Sequence, residues 1–318
     1  MARSARGLRQ AQAEPVEARA RRWPKVFCLL SALPLVAINV PLTAQSSAPL
    51  SDIAAACGTR DGWTDPAPPA RIAGQVYYVG TCGITVLLVA SPQGHVLIDA
   101  GPEEAVPLVL ANIRRLGLNP RDVKWLLNTH THWDHAGGLA ALQAATGAAV
   151  AALPDQAREL VSGKVASDDP QFGLIERGIT PVKVNRVLRD GVPLLVGSNR
   201  ITPFATPGHT RGSTSWVIRG CGKTNCPAIV YADSASAPSA NGYRFADHPD
   251  WVAQYRRGVA RIGTLPCSVL VTPHPAQSNL FERFAGDAPL ADKTACKRYA
   301  DYSLAEFEER LAKERQAK

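Results

Sequence analysis

The 318-residue chain has no apolar run long enough to cross a bilayer, no internal repeat and, past its first 25 residues, little net charge. Its most apolar stretch, 26–42, is broken by Pro34 and Pro41 and is short for a spanning helix. The missing repeat sets aside an array of stacked units. The formal charge of +8 invites a nucleic-acid reading, but seven basic residues against Glu14 and Glu17 place +5 of it in residues 1–25. The rest carries only +3, which argues for no polyanionic partner and no nucleic acid. Cysteine offers one close pair, Cys221-x4-Cys226, and a zinc ribbon needs a second.

A basic start, the apolar stretch and the small, polar exit Thr43-Ala44-Gln45-Ser46-Ser47 make residues 1–44 a secretory signal peptide, cut near Ala44 or Gln45. Arg21-Arg22 vaguely resembles a twin-arginine signal, so both export routes stay open. The expectation is a periplasmic protein of residues 45–318 with no stable membrane anchor after processing. Cysteine usage agrees. Cys28 leaves with the signal, and the remaining six suit an oxidising compartment, with 15 pairings open. Cys221 and Cys226, around Gly222, fit a hairpin tip. At 46% hydrophobic and 19% charged, the chain has the composition of a globular enzyme.

What the chain does have is Thr129-His130-Thr131-His132-Trp133-Asp134-His135-Ala136-Gly137-Gly138. The run 123–127 before it reads as a buried strand and 137–146 after it as a helix, so the motif lies on a strand-to-helix loop. Three imidazoles and a carboxylate within six residues point in more than one direction, too many for a single tetrahedral ion. They suit two adjacent metals, and nitrogen and oxygen donors without thiolate favour zinc.

Residues 46–70 read as an extended arm, and 76–79, 84–90 and 95–100 as an antiparallel meander. Helices are expected over 103–116, 155–161 (with Asp155 as cap), 249–265 and much of 289–318. Strands are expected at 148–153, 201–204, 229–231 and 268–271, with a long loop over 162–181. His209, Asp233 and His274 each follow a strand end, whereas His95 and His248 read as surface or capping residues. The pattern predicts an α/β fold, a four-layered αβ/βα sandwich of two mixed sheets face to face with helices outside and the site along one edge.

From Gly74 to Ala300 these residues resemble the metallo-β-lactamase superfamily, whose signature is H-x-H-x-D-H followed by two distant histidines, here His209 and His274. Thr206-Pro-Gly-His209-Thr-x-Gly-Ser-Thr-Ser-Trp216, Tyr231-Ala-Asp-Ser234-Ala-Ser236-Ala-Pro238 and Leu270-Val-Thr-Pro-His274-Pro are similar to the third subclass of the class B zinc β-lactamases. The resemblance implies two zinc ions per subunit, the first on His130, His132 and His209, the second on Asp134, His135 and His274. It also implies disulfides Cys57–Cys82, Cys221–Cys226 and Cys267–Cys296. Ser234 and Ser236 would take the substrate carboxylate, and Asp99 would hold the His loop. An aspartate at the position of Asp233 bridges both metals in thioesterase and lactonase relatives, while the Ala232-Asp233-Ser234 spelling suits the lactamases.

The expected activity is hydrolysis of the β-lactam amide of penicillins, cephalosporins and carbapenems by a metal-bound hydroxide, conferring antibiotic resistance, with Asp134 as the catalytic proton-handling residue. The serine-lactamase signature Ser-x-x-Lys with Lys-Thr-Gly is absent. The alternative is a periplasmic metallo-hydrolase of the same superfamily acting on a lactone or thioester. The partner is a small molecule and the expected state a monomer.

Overall fold

The computed structural model describes residues 47–174, 177–220 and 227–316. Seven strands form the first sheet in chain order: β1 (Ala70–Ala73), β2 (Val76–Tyr78), β3 (Leu87–Val89), β4 (His95–Ile98), β5 (Val123–Leu127), β6 (Ala149–Ala152) and β7 (Val184–Val187). Short turns make β1 to β4 an antiparallel meander, as the sequence predicts for β2 to β4; β1 is not among the expected strands. Helical crossovers then make the β4–β5, β5–β6 and β6–β7 pairs parallel. The second sheet holds β8 (Leu194–Val196), β9 (Asn199–Ala205), β10 (Thr214–Arg219), β11 (Ile229–Tyr231) and β12 (Val269–Val271) in the order β12-β11-β10-β9-β8. Only its β11–β12 pair is parallel, so both sheets are mixed.

Three apolar clusters separate four layers. Val76, Tyr78, Leu87, Val89 and Ile98 of the first sheet meet Ile201, Trp216, Ile218, Tyr231 and Val271 of the second. The other face of the first sheet is covered by α2 (Val106–Arg115), α4 (Leu139–Thr146) and α5 (Pro154–Ser162). The other face of the second is covered by α6 (Pro249–Gly263) and α8 (Ala295–Gln316). Strands buried on both faces read as continuous apolar runs, as Leu87–Val89 and Ile229–Tyr231 do. The predicted α/β sandwich is therefore the fold.

Three expectations need correction. The arm is not wholly extended: Leu50–Cys57 forms α1, because Leu50, Ile53, Ala54 and Cys57 share one helical face against the core. The helix at 155 begins one residue earlier, with Leu153 at its cap position and Asp155 in the first turn, paired with Arg158. His95 is buried, and its Nδ1 accepts from the Ser91 N–H at 3.2 Å. His248, by contrast, is exposed at the cap position of α6, its ring stacked on Tyr243.

Two disulfides lie among the described residues. Cys57–Cys82 ties α1 to the β2–β3 turn, and Cys267–Cys296 ties the start of β12 to α8. The expected Cys221–Cys226 pair lies outside the described residues, as does the 1–44 signal. Among the described residues no helix is long and apolar enough to cross a membrane.

Candidate metal centre

Each candidate ligand follows the carboxyl end of a strand. β4 is followed directly by Asp99, a non-glycine residue in left-handed conformation (φ 67°). Its carboxylate compensates: Oδ1 accepts from Thr129 N at 2.7 Å and Asn128 Nδ2 at 2.8 Å, and Oδ2 from Thr129 Oγ1 at 2.9 Å and Tyr231 OH at 2.5 Å. Asp99 thus fixes the loop after β5, the role expected of it, and through Tyr231 also joins the two sheets. The Gln156 amide seconds this by donating to Asn128 O and Thr129 O. From that loop His130 and His132 project directly, and α3 (Trp133–Ala136) presents Asp134 and His135. His209 follows β9, and Gly258 of α6 packs so close that a Cβ there would lie 1.8 Å from Pro207 O. His274 follows β12.

These side chains converge. Ligand atoms of His130, His132 and His209 lie within 4.8 Å of one another, and so do those of His130, Asp134 and His135. His274 Nε2 joins the second group, 3.2 Å from both His135 Nε2 and Asp134 Oδ2, while Asp134 Oδ2 is 2.9 Å from His135 Nε2.

The rear nitrogens show which atoms face the centre. His130 Nδ1 meets Asp233 Oδ1 at 2.8 Å, His132 Nε2 meets Asp169 Oδ2 at 3.0 Å, His209 Nδ1 meets Ser236 O at 2.9 Å and His274 Nδ1 meets Gly83 O at 3.3 Å. Carboxylate and carbonyl oxygens only accept, so each rear nitrogen carries the proton and each front nitrogen presents a lone pair. His130 Nε2 is buried with no partner, and His132 Nδ1 faces His209 Nε2 across 3.2 Å. Lone pairs brought together in this way repel unless a cation sits among them. The donor set fits metal ions, all nitrogen and carboxylate oxygen.

The electrostatics agree. Burial and the neighbouring imidazoles push His209 down to about 3 and hold His130 well below the usual histidine range, so both stay neutral. Burial also lowers His135. At His132 burial pulls down, but the Asp169 hydrogen bond and charge outweigh it and raise the group. Burial would raise Asp134, yet His135 and His274 overcome it and keep the carboxyl well below its ordinary value.

Ser234 is buried with its Oγ unpartnered, while Ser236 is exposed and gives its carbonyl to His209. Asp233 lies behind His130, with Oδ2 buried and unpartnered. Sequence reasoning missed Asp169 and Gln171 in the 162–181 loop. The Gln171 Nε2 lies 3.5 Å from both His132 Nδ1 and His209 Nε2. The Ser167-Asp168-Asp169 run was the available signal, but nothing local tells which carboxylate turns inward. Gly83, whose carbonyl serves His274, carries no chemical signal at all. A Cβ there would lie 2.0 Å from Asp61 O, so glycine is required.

With this geometry in view, the comparisons are consistent. The metallo-β-lactamase superfamily profile matches residues 79–222. The crystal structure of the metallo-β-lactamase MIM-1 from Novosphingobium pentaromativorans is 51% identical, with TM-score 0.81, over 84% of this chain and 99% of that one. MEM-A1, a subclass B3 metallo-β-lactamase isolated from a soil metagenome library, is 37% identical with TM-score 0.75, over 81% of this chain and 100% of that one. The acyl-coenzyme A thioesterase MBLAC2 of Gallus gallus is 30% identical over 141 residues, 40% of this chain and 50% of that protein. The chain spans about half the length of the curated relatives it matches. The chain belongs to the metallo-β-lactamase superfamily. It is a hydrolase of that superfamily whose structural neighbours include subclass B3 enzymes.

Proposed function

We propose that the protein is an exported dizinc β-lactamase of the third class B subclass, hydrolysing penicillins, cephalosporins and carbapenems and so conferring resistance to them. The observation that carries this reading is the set of front-facing imidazole nitrogens with their rear nitrogens capped, in a chain 51% identical to MIM-1 across 99% of that enzyme. His130, His132 and His209 hold the first zinc, and Asp134, His135 and His274 the second. Zinc bound there supplies a water that ionises near neutral pH and a Lewis acid for the lactam carbonyl.

The chain's own residues do the rest. Asp134, kept ionised by His135 and His274, orients the attacking water, takes its proton and passes it to the departing ring nitrogen. Ser234 Oγ, buried without a partner, and Ser236 beside it receive the substrate carboxylate. Asp233, engaged with His130 Nδ1, acts as an orienting group rather than a bridge between metals, which supports the lactam over the lactone or thioester reading. Residues 1–44 are the export signal and the mature domain works in the periplasm as a monomer.

The test is turnover of a carbapenem and a penicillin by the purified signal-free chain, zinc-replete and chelated, beside a lactone and an acyl thioester. Chelator-sensitive opening of the β-lactams is the expected result. Cleavage of only the lactone or thioester overturns the β-lactamase reading and leaves the metal centre.

A further inference from the structure

The segment that orients the first group of imidazoles is itself held from behind. Asp233 and Ser236 cap the rear nitrogens of His130 and His209, and between them Ala235 donates its N–H to Tyr299 OH at 2.8 Å. The same phenol oxygen lies 3.4 Å from Asp233 O and 3.3 Å from Gln277 Oε1, so its one proton is shared between two acceptors. Gln277 belongs to the single 3₁₀ turn Pro275–Ser278 that follows His274, and its N–H donates to His274 O at 3.1 Å. Thr272 Oγ1 closes that turn on His274 O and Ser278 Oγ, both at 2.8 Å.

Tyr299 therefore stands between the segment that aims His130 and His209 and the turn that carries His274. Its own position is fixed. It lies on the second turn of α8, one turn from Cys296, which is bonded to Cys267 at the start of β12. Further along α8, Arg310 donates to Ala237 O and, at 2.6 Å, to Ser239 Oγ. From α6 the Tyr255 hydroxyl donates to Ala235 O. The segment is thus pinned at several points, but of these side chains Tyr299 alone also reaches Gln277.

We propose that Tyr299 is a positioning residue that keeps the two metal-holding groups in register, acting on the second group through Gln277 and the His274 turn. This rests on the ligand assignment proposed above, not on the identity of the substrate. Removing the hydroxyl takes from the His274 turn its link to this segment and leaves it held by Thr272, while Arg310 and Tyr255 still hold the segment behind the first group. Tyr299→Phe is expected to bind the first zinc as the unaltered chain does and the second about tenfold more weakly, in keeping with the usual effect of losing an outer partner.

The experiment equilibrates the full mature chain and Tyr299→Phe in zinc buffers and counts zinc per chain by elemental analysis, with kcat and KM measured at low and saturating zinc. The expected result is a selective shift of the second binding step, with activity recovered at saturating zinc. Gln277→Ala should give the same shift, and the double variant should add nothing further; Gln277→Ala by itself serves if Tyr299→Phe does not fold. Identical binding curves, equal weakening of both steps, or additive effects of the two substitutions would overturn the proposal. A mature chain that binds fewer than two zinc ions would overturn the ligand assignment instead, and absent β-lactam turnover with the selective shift intact would sink only the substrate reading.

Discussion

The two sheets build the site in different ways. The first contributes His130, His132, Asp134 and His135 from one loop of six residues, aimed chiefly by Asp99 from the neighbouring strand. The second contributes His209 and His274 singly, each from a separate strand end, and supplies Asp233 and Ser236 as rear acceptors. Density in the first half and dispersal in the second mean that one half is written as a motif and the other as a geometry. Rear bonds also cross between halves: Asp233 of the second sheet holds His130 of the first, and Gly83 of the first holds His274 of the second.

If the dispersed half matters equally, His209→Ala should lose as much as His132→Ala. Losing a ligand exceeds the loss of its outer partner, so kcat/KM on a β-lactam should fall about 10³-fold or more for each. A mild effect of His209→Ala alone would break the symmetry. The disulfides compare the halves next. Their sequence separations are 25 and 29, so each should contribute about 3–4 kcal/mol by loop entropy, read from denaturant midpoints of Cys→Ser pairs. The Cys57–Cys82 pair should also weaken zinc retention, because Cys82 adjoins Gly83.

Asp233→Asn and Asp169→Asn test the rear acceptors one half at a time, each expected to cost 10- to 100-fold in zinc affinity by competition with a chelator. The smallest effect concerns Glu159, half-buried behind the loop, where it accepts from the Gly212 N–H at 2.9 Å. Burial raises its carboxyl from 4.5 to about 7. A raised carboxyl favours the protonated fold, so its contribution is full below 4.5 and is lost as pH rises through about 7. Glu159→Gln should flatten the profile of Tm against pH across that window, by the equivalent of about 1–3 kcal/mol.

The same contrast explains what the sequence disclosed. His130 to His135 were legible because their residue types and spacing demand a metal, and the sheets because fully buried strands leave apolar runs. His209 and His274 were legible as strand-end histidines, but their assignment to a metal, like the two described disulfides, came only through resemblance to a family. Asp169 was not legible, because a polar loop hides which of two adjacent carboxylates turns inward. Gly83 and Ser236 act through backbone carbonyls, which every residue has. The α1 helix was obscured by the proline- and aspartate-rich residues after it, although Ile53 and Cys57 bury one face.

The Asp99–Tyr231 hydrogen bond joins residues 132 positions apart, and Trp216 Nε1 reaches Asn128 O across 88. Contacts of such separation bear the full loop-closure cost before they return any stability, and they form late as a chain collapses. Neither half carries a finished site on its own. The six donors are brought together only when both sheets are docked, so a metal ion finds its complete set only in a chain that has already found its topology.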